Sequence, residues 1–327
     1  MRVGVIGPVA PDRFAENIID ALARTGHDVT VLGPAVAYHQ NRRVKRVLKF
    51  SRMALPALDE RAQRPIVRKA REAGCEAIIN IDSSLMPEVV AELGKGGVGV
   101  AFWYPDAVSN LGRQLMLRSP YDALFFKEPH LVERLRATLD LPVYYLPQAC
   151  NPRWHRPVSA AGTEPFFVIA GGLYPSRVRL LERLSAAGIP LRLYGNGFPR
   201  WLGETSIRSA NTGRYLAREE KAEVFRSAVG VLNTMHPAEI NGVNVRLFEA
   251  AGSGAAVLTE FRPTVPELFS IGDEVLAYHD FDELVEQARR LLNEPGLTAR
   301  LGDAASRRAH RDHTYDLRVA AILEKLS

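Results

Sequence analysis

The stretch GVNVRLFEAAGSGAAVLTE, residues 242–260, decides the fold. Asn244 to Glu249 open a helix, the small residues Gly252, Ser253 and Gly254 close it, and Ala255, Ala256, Val257 and Leu258 follow as an apolar strand. A short helix feeding directly into such a strand is one half of a crossover between parallel strands. The same helix raises a chemical question. It carries Arg246 and Glu249 close to its start, among Gly and Ala. A surface helix can do this by accident, but one whose first turn holds an anion and a sugar hydroxyl requires it.

Outward from this helix the alternation continues in both directions. Toward the N-terminus MRVGVIG, HDVTVLG, EAIINID, GVGVAFWY, YDALFFK and PVYYLP read as strands. Helical patterns are expected near residues 14–25, in the basic segment after residue 41, and from Met86 and Pro87. The segment QACNPRWHRPVSAAGTEP, 148–165, has no period and reads as an interdomain linker. The alternation then restarts with FFVIAG, a helix over about 176–188, LRLYG, a helix over about 217–227, and AVGVLNT. Three helical patterns close the chain, FDELVEQARRLLNE, TARLGDAASRRAHR and YDLRVAAILEKL. The expected class is therefore α/β, with two doubly wound Rossmann-like domains facing a central cleft. The expected boundaries are 1–150 for the first domain, 151–162 for the linker and 163–310 for the second, one able to hold a donor and the other an acceptor. A last helix, 311–327, is expected to pack back on the first domain.

The bulk properties exclude several alternatives. At 327 residues the chain suits two ordinary domains, and 46% hydrophobic with 24% charged residues is normal for a globular protein. No run approaches the length of a membrane span, and the apolar start MRVGVIGP stops too soon for a signal peptide. Cys75 and Cys150 stand alone, without metal-ligand spacing, so a disulfide framework or structural zinc is not expected and a reducing cytoplasm is. The net charge of +5 is concentrated between Arg42 and Arg71. Three readings of that segment stay open: a solvated helical face, an anionic or membrane-linked acceptor surface, and nucleic acid. For the second, Val44, Val47, Leu48 and Phe50 supply an apolar side beside Arg43, Lys45 and Arg46. The third lacks aromatic interleaving or a binding motif, so no nucleic-acid partner is expected.

Glycines mark the chemistry. The first strand ends in Gly7–Pro8, so the dinucleotide fingerprint is missing, and there is no P-loop. Gly171 and Gly172 instead end the first strand of the second half, with Arg177 at the following helix start. Glycine lets backbone approach a phosphate, a helix N-terminus adds partial positive charge, and arginine grips two oxygens at once. Gly242 and Val243 precede the opening helix, so the N–H groups of Asn244 and Val245 face outward, and Arg246 can add its charge. Glu249 cannot hold phosphate but can accept from a vicinal diol such as ribose. The plainer alternative, an ion pair with Arg246 three residues back, can hold at the same time. Tyr194, Gly195 and Asn196 end another strand and form either a nucleobase-facing loop or a simple turn.

From Phe166 onward the chain resembles the C-terminal half of group 1 glycosyltransferases with the GT-B fold, most closely their CgeB-like spore-maturation branch. The resemblance lies in GGLYPSR, LRLYGNGF, GRYLAREEKAEVFRSAVGVLNT, NGVNVRLFEAAGSGAAVLTE and VPELFSIGDEVLAYHDFDELVEQARRLL. It extends weakly back through YDALFFKEPHLVERLR and VYYLPQACNPRWHRP. It implies that Glu249 holds the ribose hydroxyls, as the second Glu of the family's Glu–seven residues–Glu motif. Asn241 stands where the first Glu belongs, which alters the reading of the donor sugar. Arg177 matches the arginine of the family's diphosphate clamp, but Glu182 stands where its lysine belongs, and Arg246 is the substitute. Tyr215 matches the position beside the nucleobase.

Transfer from a diphosphate needs stabilisation of the leaving charge and positioning of an acceptor more than covalent machinery. Arg177, Arg246 and backbone N–H groups are assigned to the first task. Single aspartates at strand ends, Asp106 in WYPDAVSN and Asp82 after EAIIN, are the candidate catalytic bases, and His130, His155 and His236 are further cleft candidates. No strand-end DxD chelator is present, so no metal and no cofactor are expected. The expected activity is transfer of a sugar from a UDP-, dTDP- or GDP-linked donor to an unidentified acceptor. A nucleotide-sugar 2-epimerase of similar fold and a non-catalytic basic surface-binding protein with a decayed donor site are the rivals.

Overall fold

The computed structural model describes residues 1–36, 55–110, 112, 114–158, 163–195, 197–199, 201–294 and 296–327. The apolar and basic residues 43–50 singled out above lie outside the described residues, as does Asn196. The chain divides into two compact units, one of Met1–Leu146 with Asp316–Ser327, the other of Pro147–Tyr315.

The first unit is a six-stranded parallel sheet. Its strands are β1 (Arg2–Ile6), β2 (Asp28–Gly33), β3 (Ala77–Asn80), β4 (Gly99–Tyr104), β5 (Ala123–Phe126) and β6 (Val143–Tyr145), in the order β2-β1-β3-β4-β5-β6. Helices α1 (Phe14–Arg24), α2 (Pro56–Glu72), α3 (Pro87–Leu93) and α4 (Pro129–Leu139) make the crossovers among the described residues. Three of them, α2 to α4, start on a proline, whose fixed φ suits a first helical turn. The inner strands β3, β4 and β5 are buried at every residue, as parallel strands covered on both faces must be. The C-terminal end of the chain belongs to this unit. Arg24 pairs with Asp316, and a Cβ on Gly99 would stand 2.9 Å from Leu326 Cβ, so the tail is packed directly on β4.

The second unit holds β7 (Glu164–Ala170), β8 (Leu191–Tyr194), β9 (Ala228–Asn233), β10 (Val257–Glu260) and β11 (Leu276–Tyr278), parallel, in the order β11-β10-β9-β7-β8. The helices are α5 (Pro175–Ala186), α6 (Arg218–Ser227), α7 (Val245–Gly252), α8 (Val265–Leu268), α9 (Phe281–Asn293) and α10 (Leu297–Asp312); the last helix, α11 (Tyr315–Glu324), belongs from Asp316 onward to the first unit. Alternate residues of β7 feed two cores: Phe166 and Val168 pack toward α6, α7 and α10, while Phe167 and Ile169 pack toward α5 and α9. That is why the strand reads as an unbroken apolar run.

The expected linker is not a spacer over its described part. Asn151, Trp154 and His155 are buried, and Cys150 N donates to His313 O at 2.9 Å while Tyr315 N donates back to Cys150 O at 3.0 Å. Small residues make this docking possible: a Cβ on Gly252 would lie 2.8 Å from Cys150 Cβ and 2.9 Å from His155 O. The segment has no period because its side chains fit one irregular surface, the end of α7. Among the described residues no helix is long and apolar enough to cross a membrane.

Candidate functional site

Ligands of doubly wound sheets gather beyond the carboxyl ends of the strands. In the second unit that edge carries Gly171 after β7, Gly195 after β8, Thr234 after β9 and the loop into α7. Helix α7 begins where the sequence predicts. Asn244 is its N-cap, its Oδ1 accepting from Arg246 N at 3.0 Å and its Nδ2 donating to Thr234 O at 3.1 Å. Among the described residues no acceptor meets the N–H groups of Asn244 and Val245. Gly242 and Val243, just before them, are buried.

Two guanidinium groups converge on Gly171. Arg177, from the first turn of α5, donates from Nη1 to Gly172 O at 2.7 Å, from Nε to Thr234 Oγ1 at 2.7 Å and from Nη2 to Thr234 O at 3.1 Å. The face of its guanidinium lies 4.5 Å from the Tyr174 ring centre. Arg246 reaches in from α7, its Nε donating to Ala170 O at 3.1 Å. A Cβ on Gly171 would stand 3.3 Å from Arg177 Nη1 and 3.7 Å from Arg246 Nη2. Gly171 has φ of +131°, so glycine is required both for its backbone and for the open space the two cations border. Burial lowers the pKa of Arg177, Tyr174 works against this, and the like charge of Arg246 lowers it further. Two cations held this close, in partly desolvated positions, are arranged for an anion between them.

Glu249 is buried, and both oxygens of its carboxylate are engaged. Oε2 accepts from Arg246 Nη1, the ion pair that the spacing of three anticipates. Oε1 accepts from Lys221 Nζ at 2.9 Å, and each of these two side chains is only 4% exposed. Sequence reasoning missed Lys221. Its signal was present: with Ala222 and Phe225 it lies on the buried stripe of α6, where a lysine needs a charged partner. Thr234, the seat of Arg177, was also missed, since a threonine ending a strand carries no pattern of its own. Arg246 and Lys221 thus hold one carboxylate between them, while Arg177 is seated separately on Gly172 and Thr234.

The remaining candidates separate. Gly195 is the tightest point of the edge: a Cβ there would lie 2.6 Å from Gly171 O, so glycine alone lets the two strand ends meet. Tyr194 is corrected as a base platform, because its ring is buried in the core beside Leu216 and Phe225. Alternation on β8 sends it inward, and only its carbonyl, which accepts from Gly171 N at 2.9 Å, serves the edge. Tyr215 is 44% exposed, following Gly213 at φ +67°. Asn241 is half-buried, its carbonyl accepting from Thr264 Oγ1 at 2.5 Å. The ring of His236 packs edge-on against Tyr174 at 4.9 Å and its Nδ1 accepts from Ala238 N, a structural role. His155 is buried, with Nδ1 accepting from Asn151 N at 3.0 Å, and His130 is exposed on α4.

Both aspartates of the first unit lie at strand ends, but each is engaged in holding its own turn. Asp82 accepts from Ala35 N and Ser84 N, each at 2.9 Å. Asp106 is exposed and accepts from Ala107 N at 2.8 Å and Asn110 Nδ2 at 2.9 Å.

Known proteins share this architecture. Residues 177–324 match the model of a family described as glycosyl transferase-like. Over 99% of this chain and 98% of its own, sucrose-phosphate synthase from Thermosynechococcus elongatus superposes with a TM-score of 0.66 at 14% identity. An Escherichia coli structure described as trehalose-6-phosphate bound with UDP-2-fluoro glucose gives 0.65 at 16% identity, covering 100% of this chain and 99% of that one. An α,α-trehalose-phosphate synthase (UDP-forming) from Burkholderia xenovorans, in complex with glucose-6-phosphate, gives 0.63 at 14%, over 99% of both chains. No curated protein sequence matches significantly. With two parallel-sheet α/β units that superpose on these proteins over nearly their whole length, the chain has the GT-B glycosyltransferase fold.

Proposed function

We propose that the protein is a glycosyltransferase that moves a sugar from a nucleotide-diphosphate sugar to an acceptor, without a metal ion. The observation that carries this reading is the convergence of the Arg177 and Arg246 guanidinium groups on the bare α-carbon of Gly171. An anion seated there meets two fork-shaped donors and the N-terminal N–H groups of α7, all of which favour the charge that grows on a departing diphosphate. Glu249, next to Arg246, is assigned the ribose hydroxyls, and Asn241 the donor sugar. Gly195 and Tyr215 are assigned to the nucleobase. On the acceptor side Asp106 is preferred to Asp82 as proposed base, because Asp82 has both oxygens on backbone N–H groups while Asp106 is exposed. The superposed proteins bound to UDP-2-fluoro glucose and to glucose-6-phosphate support a nucleotide-linked donor and leave the acceptor class open.

A thermal-shift screen of UDP, dTDP, GDP and ADP tests the donor site. One of them, at about a hundred times its Kd, should add about 2.7 kcal/mol of stability and raise the melting midpoint by roughly 5–10 °C. No response to any of the four would remove the reading. A second expected result concerns Gly195→Ala. The added methyl meets the backbone of Gly171, so that loop must move and the two arginines lose their common focus. Titration calorimetry should show the same nucleotide binding about tenfold or more weakly, the effect of one displaced charge-assisted hydrogen bond. Unaltered affinity would show that the Gly171 turn does not contact the ligand.

A further inference from the structure

The Glu249 carboxylate is held by two cations of different standing. Lys221 is buried on the core-facing side of α6, its Nζ 2.9 Å from Glu249 Oε1. Arg246 lies at the border, 20% exposed, and touches Glu249 Oε2 while its Nη2 stands near the open space over Gly171. Under the proposed function, on which this inference rests, Arg246 is required by two anions. A diphosphate over Gly171 draws its guanidinium toward phosphate oxygens. A carboxylate as deeply buried as Glu249 is unfavourable without a counter-charge at hydrogen-bond distance, so a partner other than Arg246 is needed when a diphosphate is bound. To clasp a diol symmetrically the carboxylate must accept from both hydroxyls.

We propose that Lys221 is the standing counter-ion that holds the Glu249 carboxylate in place, aimed at the ribose hydroxyls, while Arg246 turns to the diphosphate. Lys221 is a positioning residue for diol recognition, acting through Glu249. Its place on the buried stripe of α6, where a charge is unfavourable unless paired, is explained by this task. The ammonium also has the form the task needs: a compact charge on a flexible stem can follow the carboxylate through small movements, which a planar fork cannot.

The test is titration calorimetry with UDP and 2′-deoxy-UDP, and with GDP and 2′-deoxy-GDP, for the wild type, Lys221→Met, Glu249→Gln and the double variant. The wild type is expected to prefer one ribonucleotide over its deoxy counterpart by about tenfold or more, as a hydrogen bond to a charged group implies. Lys221→Met, close in shape but uncharged, is expected to reduce that preference to below about twofold, a change that general loosening of the fold would not make. The double variant is expected to show the same preference as Glu249→Gln alone, because Lys221 acts on the diol only through the Glu249 carboxylate. If Lys221→Met does not fold while the double variant does, the Glu249 carboxylate requires Lys221 even with Arg246 beside it, and the inference stands. It is overturned if folded Lys221→Met keeps the full preference, if both variants unfold, or if the wild type binds a ribonucleotide and its deoxy form equally. A wild type that binds none of the four nucleotides overturns the donor-site reading, and the inference with it.

Discussion

Replacing Arg177 and Arg246 together by Gln is expected to abolish measurable binding of the nucleoside diphosphate that the wild type prefers. Each guanidinium contributes charge-assisted hydrogen bonds worth about 1.5–3 kcal/mol, so the pair corresponds to a loss of roughly 10²–10⁴ in affinity. The single variants should differ. Arg177 is anchored by Gly172 O and by both oxygens of Thr234, so Arg177→Gln removes a rigid donor and frees its seat as well. Arg246→Gln also takes a cation from Glu249, yet Lys221 stays in place. The nucleotide should therefore still bind, weakened about ten- to a hundredfold, with its ribose preference retained. Equal binding by wild type and the double variant in calorimetry would place the diphosphate elsewhere. Salt supplies an independent check, since the wild-type affinity should fall as ionic strength rises.

Gly302→Ala is expected to lower the thermal midpoint by roughly 5–10 °C, following from about 2–3 kcal/mol for a backbone clash in a packed interior. Gly302 lies in α10, and a Cβ there would stand 2.1 Å from Gly254 O, 2.8 Å from Gly254 C and 2.9 Å from Arg226 Nη1. The obstacle is main chain rather than the tip of a flexible side chain, so α10 itself must move. Arg226 cannot easily give way, because it donates to that carbonyl and pairs with Asp303 at 2.8 Å. Gly254 follows α7, so the displacement reaches the helix that carries Arg246 and Glu249. Differential scanning calorimetry should show the loss without nucleotide, and addition of nucleotide should restore part of it. A variant as stable as the wild type would mean that α10 can slide off α7 freely.

Both results rest on glycines, and the sequence marks their positions without their reasons. Gly171 was read from sequence as a strand-end glycine near a phosphate, and Gly195 as the end of another strand, in a nucleobase-facing loop or a simple turn. What the sequence does not state is that they face each other, a Cβ on one meeting the carbonyl of the other. The same holds for charge. The spacing of Arg246 and Glu249 announced their ion pair, since residues three apart on a helix are neighbours by geometry alone. Lys221 is 28 positions from Glu249, and only the packing of α6 against α7 makes them partners. Tyr194 failed in the opposite sense: an aromatic at a strand end suggests a platform, but which face of the sheet it meets is set by register.

By itself the sequence determined the alternation of buried strands and helices, the two-unit GT-B architecture, and the helix start at Asn244. These follow from period, turn residues and capping, which act over a few positions. Tertiary structure alone decided that Cys150, Asn151, Trp154 and His155 are buried, with Cys150 and His155 against the end of α7, rather than spanning a gap, and that β11, three residues long, completes the second sheet. It alone decided, too, that a lysine from one helix neutralises the carboxylate of another. Each depends on contacts between segments distant in the chain, where side-chain shape and charge are matched across space and leave no local period to read.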